Sequence, residues 1–126
     1  GREGVRLWSL NEAVMIDRLS RDPRGLALIA AAPSALSSML AVLEEDKIPV
    51  TGTTNFSLYW LVLRRFAILR TVGAMVDDGV GAALEHPDLP RVLARLEVSK
   101  LERATTELAR AVLGEVQRNK TGVQGG

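Results

Sequence analysis

The chain has 126 residues, 47% of them apolar and 25% charged, the proportions of one ordinary globular domain and not of a disordered or fibrous polymer. Its net charge of +1 sets up no whole-molecule field for nucleic acid or an anionic membrane, so binding to either needs a local patch. Cysteine is absent, which excludes disulfides, thiolate nucleophiles and thiolate metal sites together and fits a cytoplasmic or intraviral protein.

The chain opens without the basic, apolar and small-residue succession of a signal peptide, so it is expected not to be secreted. A first residue of glycine rather than methionine is expected of a piece cut from a longer chain. Ser9 followed by Glu12 has the spacing of a capping box, in which each side chain satisfies a backbone donor near the other, and it predicts a helix over about residues 10 to 20. Trp8 and Ala13 take the hydrophobic-staple positions, and Asp22-Pro23-Arg24-Gly25 reads as the turn that ends the helix.

Residues 25 to 43 carry no charge, a run long enough to test as a membrane span. Pro33 interrupts it, Ser34, Ser37 and Ser38 crowd its middle, and alanine contributes little to insertion. Two short buried helices at about 24 to 31 and 34 to 45 are expected instead, and a membrane is not expected as a partner. Glu44 to Lys47 end the second in solvent. Ile48 to Thr54 form a connecting loop, and Thr54 or Asn55 caps the longest helix, about 56 to 84.

The apolar side chains of that helix, from Tyr59 to Val76, point in nearly every direction, as in a helix buried by neighbours on most sides. Gly79 and Gly81 weaken its end, and a break or kink is expected after Asp78. His86-Pro87-Asp88-Leu89-Pro90 is a stop, from which Pro90 begins a short helix carrying Val92, Leu93 and Leu96. Ser99, with Glu102 in capping-box register, opens a last amphipathic helix at about 100 to 118, whose apolar stripe is Leu101, Ala104, Leu108, Ala111, Val112 and Val116. Residues 119 to 126, polar, glycine-bearing and aperiodic, are expected as a flexible tail on a single domain of residues 1 to 118. The expected fold is all-α: a compact orthogonal bundle of five or six helices around one long central apolar helix.

The chemistry this chain can carry is narrow. One histidine and no cysteine leave no convergent soft ligands, so neither a metal nor any cofactor is expected; His86 with Glu85 and Asp88 reads as a solvated loop. Glu44-Glu45-Asp46 and Asp77-Asp78 supply carboxylates, but adjacent acids at helix ends point apart. His86 is the one conventional base for a serine nucleophile, and there is neither a G-x-S-x-G elbow nor a phosphate-binding glycine loop. No catalytic residues are assigned, and the protein is expected not to be an enzyme.

Arg64, Arg65 and Arg70 are unusual within so apolar a helix, because a guanidinium keeps its proton and must reach water, a carboxylate or an anionic partner. One reading has each arginine snorkel outward or pair with Asp77, Asp78 or the Glu44-Glu45 cluster. The sharper reading has Arg64 and Arg65 emerge beside Tyr59 and Trp60 as an anchor for a partner, since arginine and large aromatics are enriched at binding hot spots. The charged face of the last helix mixes signs and reads as solvated or as facing a partner helix. Arg18, Arg21 and Arg24, near Arg2 and Arg6, make the N-terminal quarter the most basic region. The function expected is a non-enzymatic helical interaction or self-assembly domain within a larger protein or complex, its partner a protein and most simply a second copy. The alternative is a nucleic-acid-binding module, a regulator or nucleoprotein fragment, using Arg18, Arg21 and Arg24.

Overall fold

The computed structural model describes residues 10–32, 34–44, 55–99 and 103–125. These are all-helical, with no strand among them: α1 (Leu10–Leu19), α2 (Pro23–Ala31), α3 (Ala35–Glu44), α4 (Asn55–Asp77), the single turn α5 (Gly81–Leu84), α6 (Leu89–Ser99) and α7 (Arg103–Gly125). The Ser9–Glu12 and Ser99–Glu102 capping boxes and the loop from Ile48 to Thr54 lie wholly or partly outside the described residues.

The first corner is tighter than the sequence suggests. Asp22 and Pro23 do not space two helices apart but start the second one. Asp22 is extended (φ −103°, ψ 129°), and its Oδ1 accepts the Arg24 backbone N–H at 2.9 Å. Pro23 fills the first helical position, where its missing N–H has no intrahelical role. The turn proper is confined to residues 20–22, where the Ser20 hydroxyl donates to the Asp17 carbonyl at 2.6 Å. Gly25 is buried so close to α1 that a Cβ there would stand 2.2 Å from the Leu19 carbonyl oxygen.

The charge-free run forms two helices whose axes differ by 89°, and among the described residues no single helix is long and apolar enough to cross a membrane. Leu26 and Ile29 of α2 and Leu36, Met39, Leu40, Val42 and Leu43 of α3 are buried in the core. They join Ile68, Leu69, Val72, Met75 and Val76 of α4, Leu89, Val92, Leu93 and Leu96 of α6, and Ala109, Val112 and Val116 of α7. Helix α4 packs against α1, α2, α3, α5 and α7. Thr71, buried in that helix, satisfies its hydroxyl by donating to the Ala67 carbonyl at 3.1 Å.

The break expected after Asp78 is a glycine-terminated helix end. Gly79 takes φ +73°, its N–H donates to the Val76 carbonyl at 3.0 Å, and the Val80 N–H donates to Met75 at 2.9 Å. This pair of reversed bonds is the Schellman arrangement, with Val80 turned onto the core. Arg91 of α6 then reaches both Glu44 of α3 and Asp88. The close pairing with Glu44 is the chief reason that its guanidinium is held even more firmly protonated than usual.

Residues 100–102 join α6 to α7, and Arg110 Nε donates to Glu97 Oε2 at 2.9 Å across the pair. The two helices therefore run antiparallel, with Leu89 level with the region of Arg118. Since α5 ends shortly before Leu89 and packs on α7, the C-terminal end of α4 meets the later part of α7, and those helices run the same way. Helix α7 continues to Gly125, past the end expected at residue 118. Its apolar stripe stops where there is no core left to face, not where helical hydrogen bonding stops.

Candidate interaction surface

Arg64 and Arg65 of α4 are both half-buried, and each is engaged within the fold. At about 100° per residue, Arg64 shares its side of α4 with Thr71 and Met75, and Arg65 shares its side with Val72 and Val76. Those directions are fully buried two and three turns later. Tyr59 and Trp60 belong to α4, but their side chains lie outside the described residues. Arg70 instead lies on the outward stripe of the helix with Leu63 and Asp77, all three exposed at seven-residue spacing. Its carboxylate is none of those expected: Arg70 Nη1 stands 3.7 Å from Asp17 Oδ2 of α1.

The same Asp17 carboxylate, largely buried, holds Arg21 Nη2 at 3.6 Å, and Arg24 stands 3.9 Å from Asp22. Two of the three arginines in the N-terminal patch thus face carboxylates of their own corner. Apolar side chains are interspersed with them: Met15 is 62% and Leu28 74% exposed, with Leu19 also outward. A phosphate backbone rewards uninterrupted positive charge, which the described residues of this corner do not offer. On α7, Arg103 pairs with Glu107 and Arg118 with Glu115, so much of the mixed-sign face is neutralised along its own helix.

The fold brings together one pair that sequence separation conceals. Ser37 Oγ of α3 lies 3.5 Å from Nε2 of His86 in the turn between α5 and α6. A serine nucleophile needs that nitrogen as an acceptor, with the other ring nitrogen donating to an orienting carboxylate. Here Nδ1 accepts the Asp88 backbone N–H at 3.2 Å. A neutral ring must therefore carry its proton on Nε2, facing the serine as a donor, which is the wrong tautomer for a general base. The contact pins the turn to α3. Among the described residues no group of three His, Cys, Asp or Glu side chains is placed to hold a metal ion.

An open groove of about 340 Å³ lies between α4 and α7. Its walls are Arg70, Gly73, Ala74 and Asp77 of α4 and Leu108, Ala111, Val112 and Glu115 of α7. Gly73 lets α4 and α7 pack closely along it, for a Cβ there would lie 3.1 Å from Val112 Cγ2. The floor is small and apolar. Because α4 and α7 run the same way, Asp77 and Glu115 share one end and Arg70 stands at the other. Sequence reading missed this groove because Gly73 and Ala74 pass for interior residues of an apolar helix and Ala111 for part of the apolar stripe of an amphipathic one; the signal present was the Arg70–Asp77 spacing around a small-residue centre. Comparison with protein-family models, with curated proteins and with solved structures finds no match for this chain.

Proposed function

We propose that this chain is a non-enzymatic helical interaction domain that works by self-assembly, as an orthogonal bundle around α4 in a cytoplasmic or intraviral setting. The observation that carries the reading is the α4–α7 groove, with a floor small enough to admit a partner's backbone and charged ends that can orient it. Exposed Leu63, on the same α4 stripe, adds apolar area beside it. The Ser37–His86 geometry supports the same reading, since the one serine–histidine contact described has the tautomer of a structural link.

Size exclusion coupled to light scattering, with and without a mixed nucleic-acid pool at low and high salt, tests it. A defined oligomer that forms without nucleic acid is expected. A monomer that changes size only when nucleic acid is added at low salt would overturn the reading in favour of Arg18, Arg21 and Arg24.

A further inference from the structure

The α4–α7 groove complements itself, and we infer that its occupant is the same face of a second copy of this chain, packed across a two-fold axis that crosses α4 between Gly73 and Ala74. The inference rests on the self-assembly reading and specifies its surface. Arg70 and Asp77 lie two helical turns apart, about 10 Å along the axis, and Gly73 and Ala74 sit midway between them. Reversing α4 end for end about that midpoint lays each charge on its opposite. Arg70 meets Asp77 of the partner subunit, and Asp77 meets Arg70 of the partner subunit. Two-fold symmetry makes each such contact occur twice, whereas a groove with the same charge at both ends would repel its own copy.

The middle of the face allows the approach that the charges require. Gly73, Ala74 and Ala111 line the groove with small residues, Val112 filling the space beside Gly73, and small residues let helix axes come within about 8 Å. Both charges are available. Arg70 is 42% exposed and shares Asp17 with Arg21, so turning it toward a partner leaves the Asp17 carboxylate compensated. Asp77 makes no ion pair among the described residues, and Glu115 adds a second carboxylate at its end. No such feature selects an occupant for exposed Met15, Leu19 and Leu28 at the α1–α2 corner.

Two charge reversals, Arg70→Asp and Asp77→Arg, are made in separate chains and examined by light scattering alone and mixed. The unaltered protein is expected as a two-copy particle. Each variant is expected to self-associate about 100-fold more weakly, since like charges then face each other twice. An equimolar mixture is expected to recover a one-to-one pair, because the introduced carboxylate meets the introduced guanidinium and the native pair is retained. Arg70→Asp also places a carboxylate beside Asp17, so Ala111→Arg, at an exposed groove position, serves as the blocking variant that spares the core. It is expected to be a folded monomer. A monomeric unaltered protein overturns both this inference and the self-assembly reading. An oligomer that persists in all three variants, or folded charge variants that fail to pair on mixing, overturns the α4–α7 face alone.

Discussion

Replacing Gly25 with alanine tests the corner on which α1 and α2 meet. The added Cβ would stand 2.2 Å from the Leu19 carbonyl oxygen and 2.9 Å from its carbon, against at least 3.4 Å for an ordinary contact. Both neighbours are backbone atoms, so no rotamer change relieves the overlap; the helices must move apart by about an ångström. That movement pulls on the Asp22 cap and on the Ser20–Asp17 hydrogen bond that close the turn. Overpacking of this kind costs about 1–3 kcal/mol, and overlap with backbone places it in the upper part of that range. Alanine's helix propensity returns up to about 1 kcal/mol, leaving a net loss of about 2 kcal/mol. For a chain of this length that is a fall in melting temperature of roughly 6–8 °C, read by far-ultraviolet circular dichroism and checked by urea unfolding. Gly114→Ala is the control, because its Cβ meets only the Arg118 Nη1 atom at 3.5 Å; it is expected to gain up to about 1 kcal/mol. If Gly25→Ala is as stable as the unaltered protein, or more so, the close approach of the two helices is wrong.

Three further substitutions probe the same frame by urea denaturation. Asp22→Ala removes the side chain that caps the Arg24 N–H and is expected to lose about 1 kcal/mol, whereas Asp22→Ser, a competent cap, should lose much less; equal losses would deny the cap. Gly79→Ala puts a side chain at φ +73° with open space around it, so the loss of about 1 kcal/mol expected there is purely conformational, and no loss would mean that α4 does not end in a left-handed residue. Asp17→Asn keeps the shape of a buried side chain but removes the charge facing Arg21 and Arg70; a loss of about 1–2 kcal/mol is expected, larger than that of Asp22→Asn, and the reverse order would contradict the placement of Asp17.

Sequence periodicity disclosed most of the helices because each buries one apolar side, and the break after Asp78 was visible because glycine alone enters a left-handed turn cheaply. The α1–α2 corner was misread since Asp-Pro serves equally as a turn and as a cap followed by a first helical residue; only the packing of Gly25 against Leu19 decides which. Arg70 was expected beside acids near it in sequence or at the end of α3, yet its partner is Asp17 on α1, a contact made by folding and not by spacing. The outward stripe of α4 was hidden for a related reason. Gly73 and Ala74 count as apolar on a helical wheel, so a helix with one open side looks buried all round.

Self-assembly through α4 requires that the α4 faces of two copies meet. The chain has no cysteine of its own, so Ala74→Cys introduces a single thiol beside the inferred axis, and Leu28→Cys introduces one on the exposed α1–α2 corner. A disulfide forms only when two Cβ atoms come within about 4.5 Å, and its yield under mild oxidation is read on a non-reducing gel. Ala74→Cys is expected to be trapped as a covalent dimer in high yield while Leu28→Cys stays largely single. A covalent dimer from Leu28→Cys with none from Ala74→Cys would contradict self-assembly through α4.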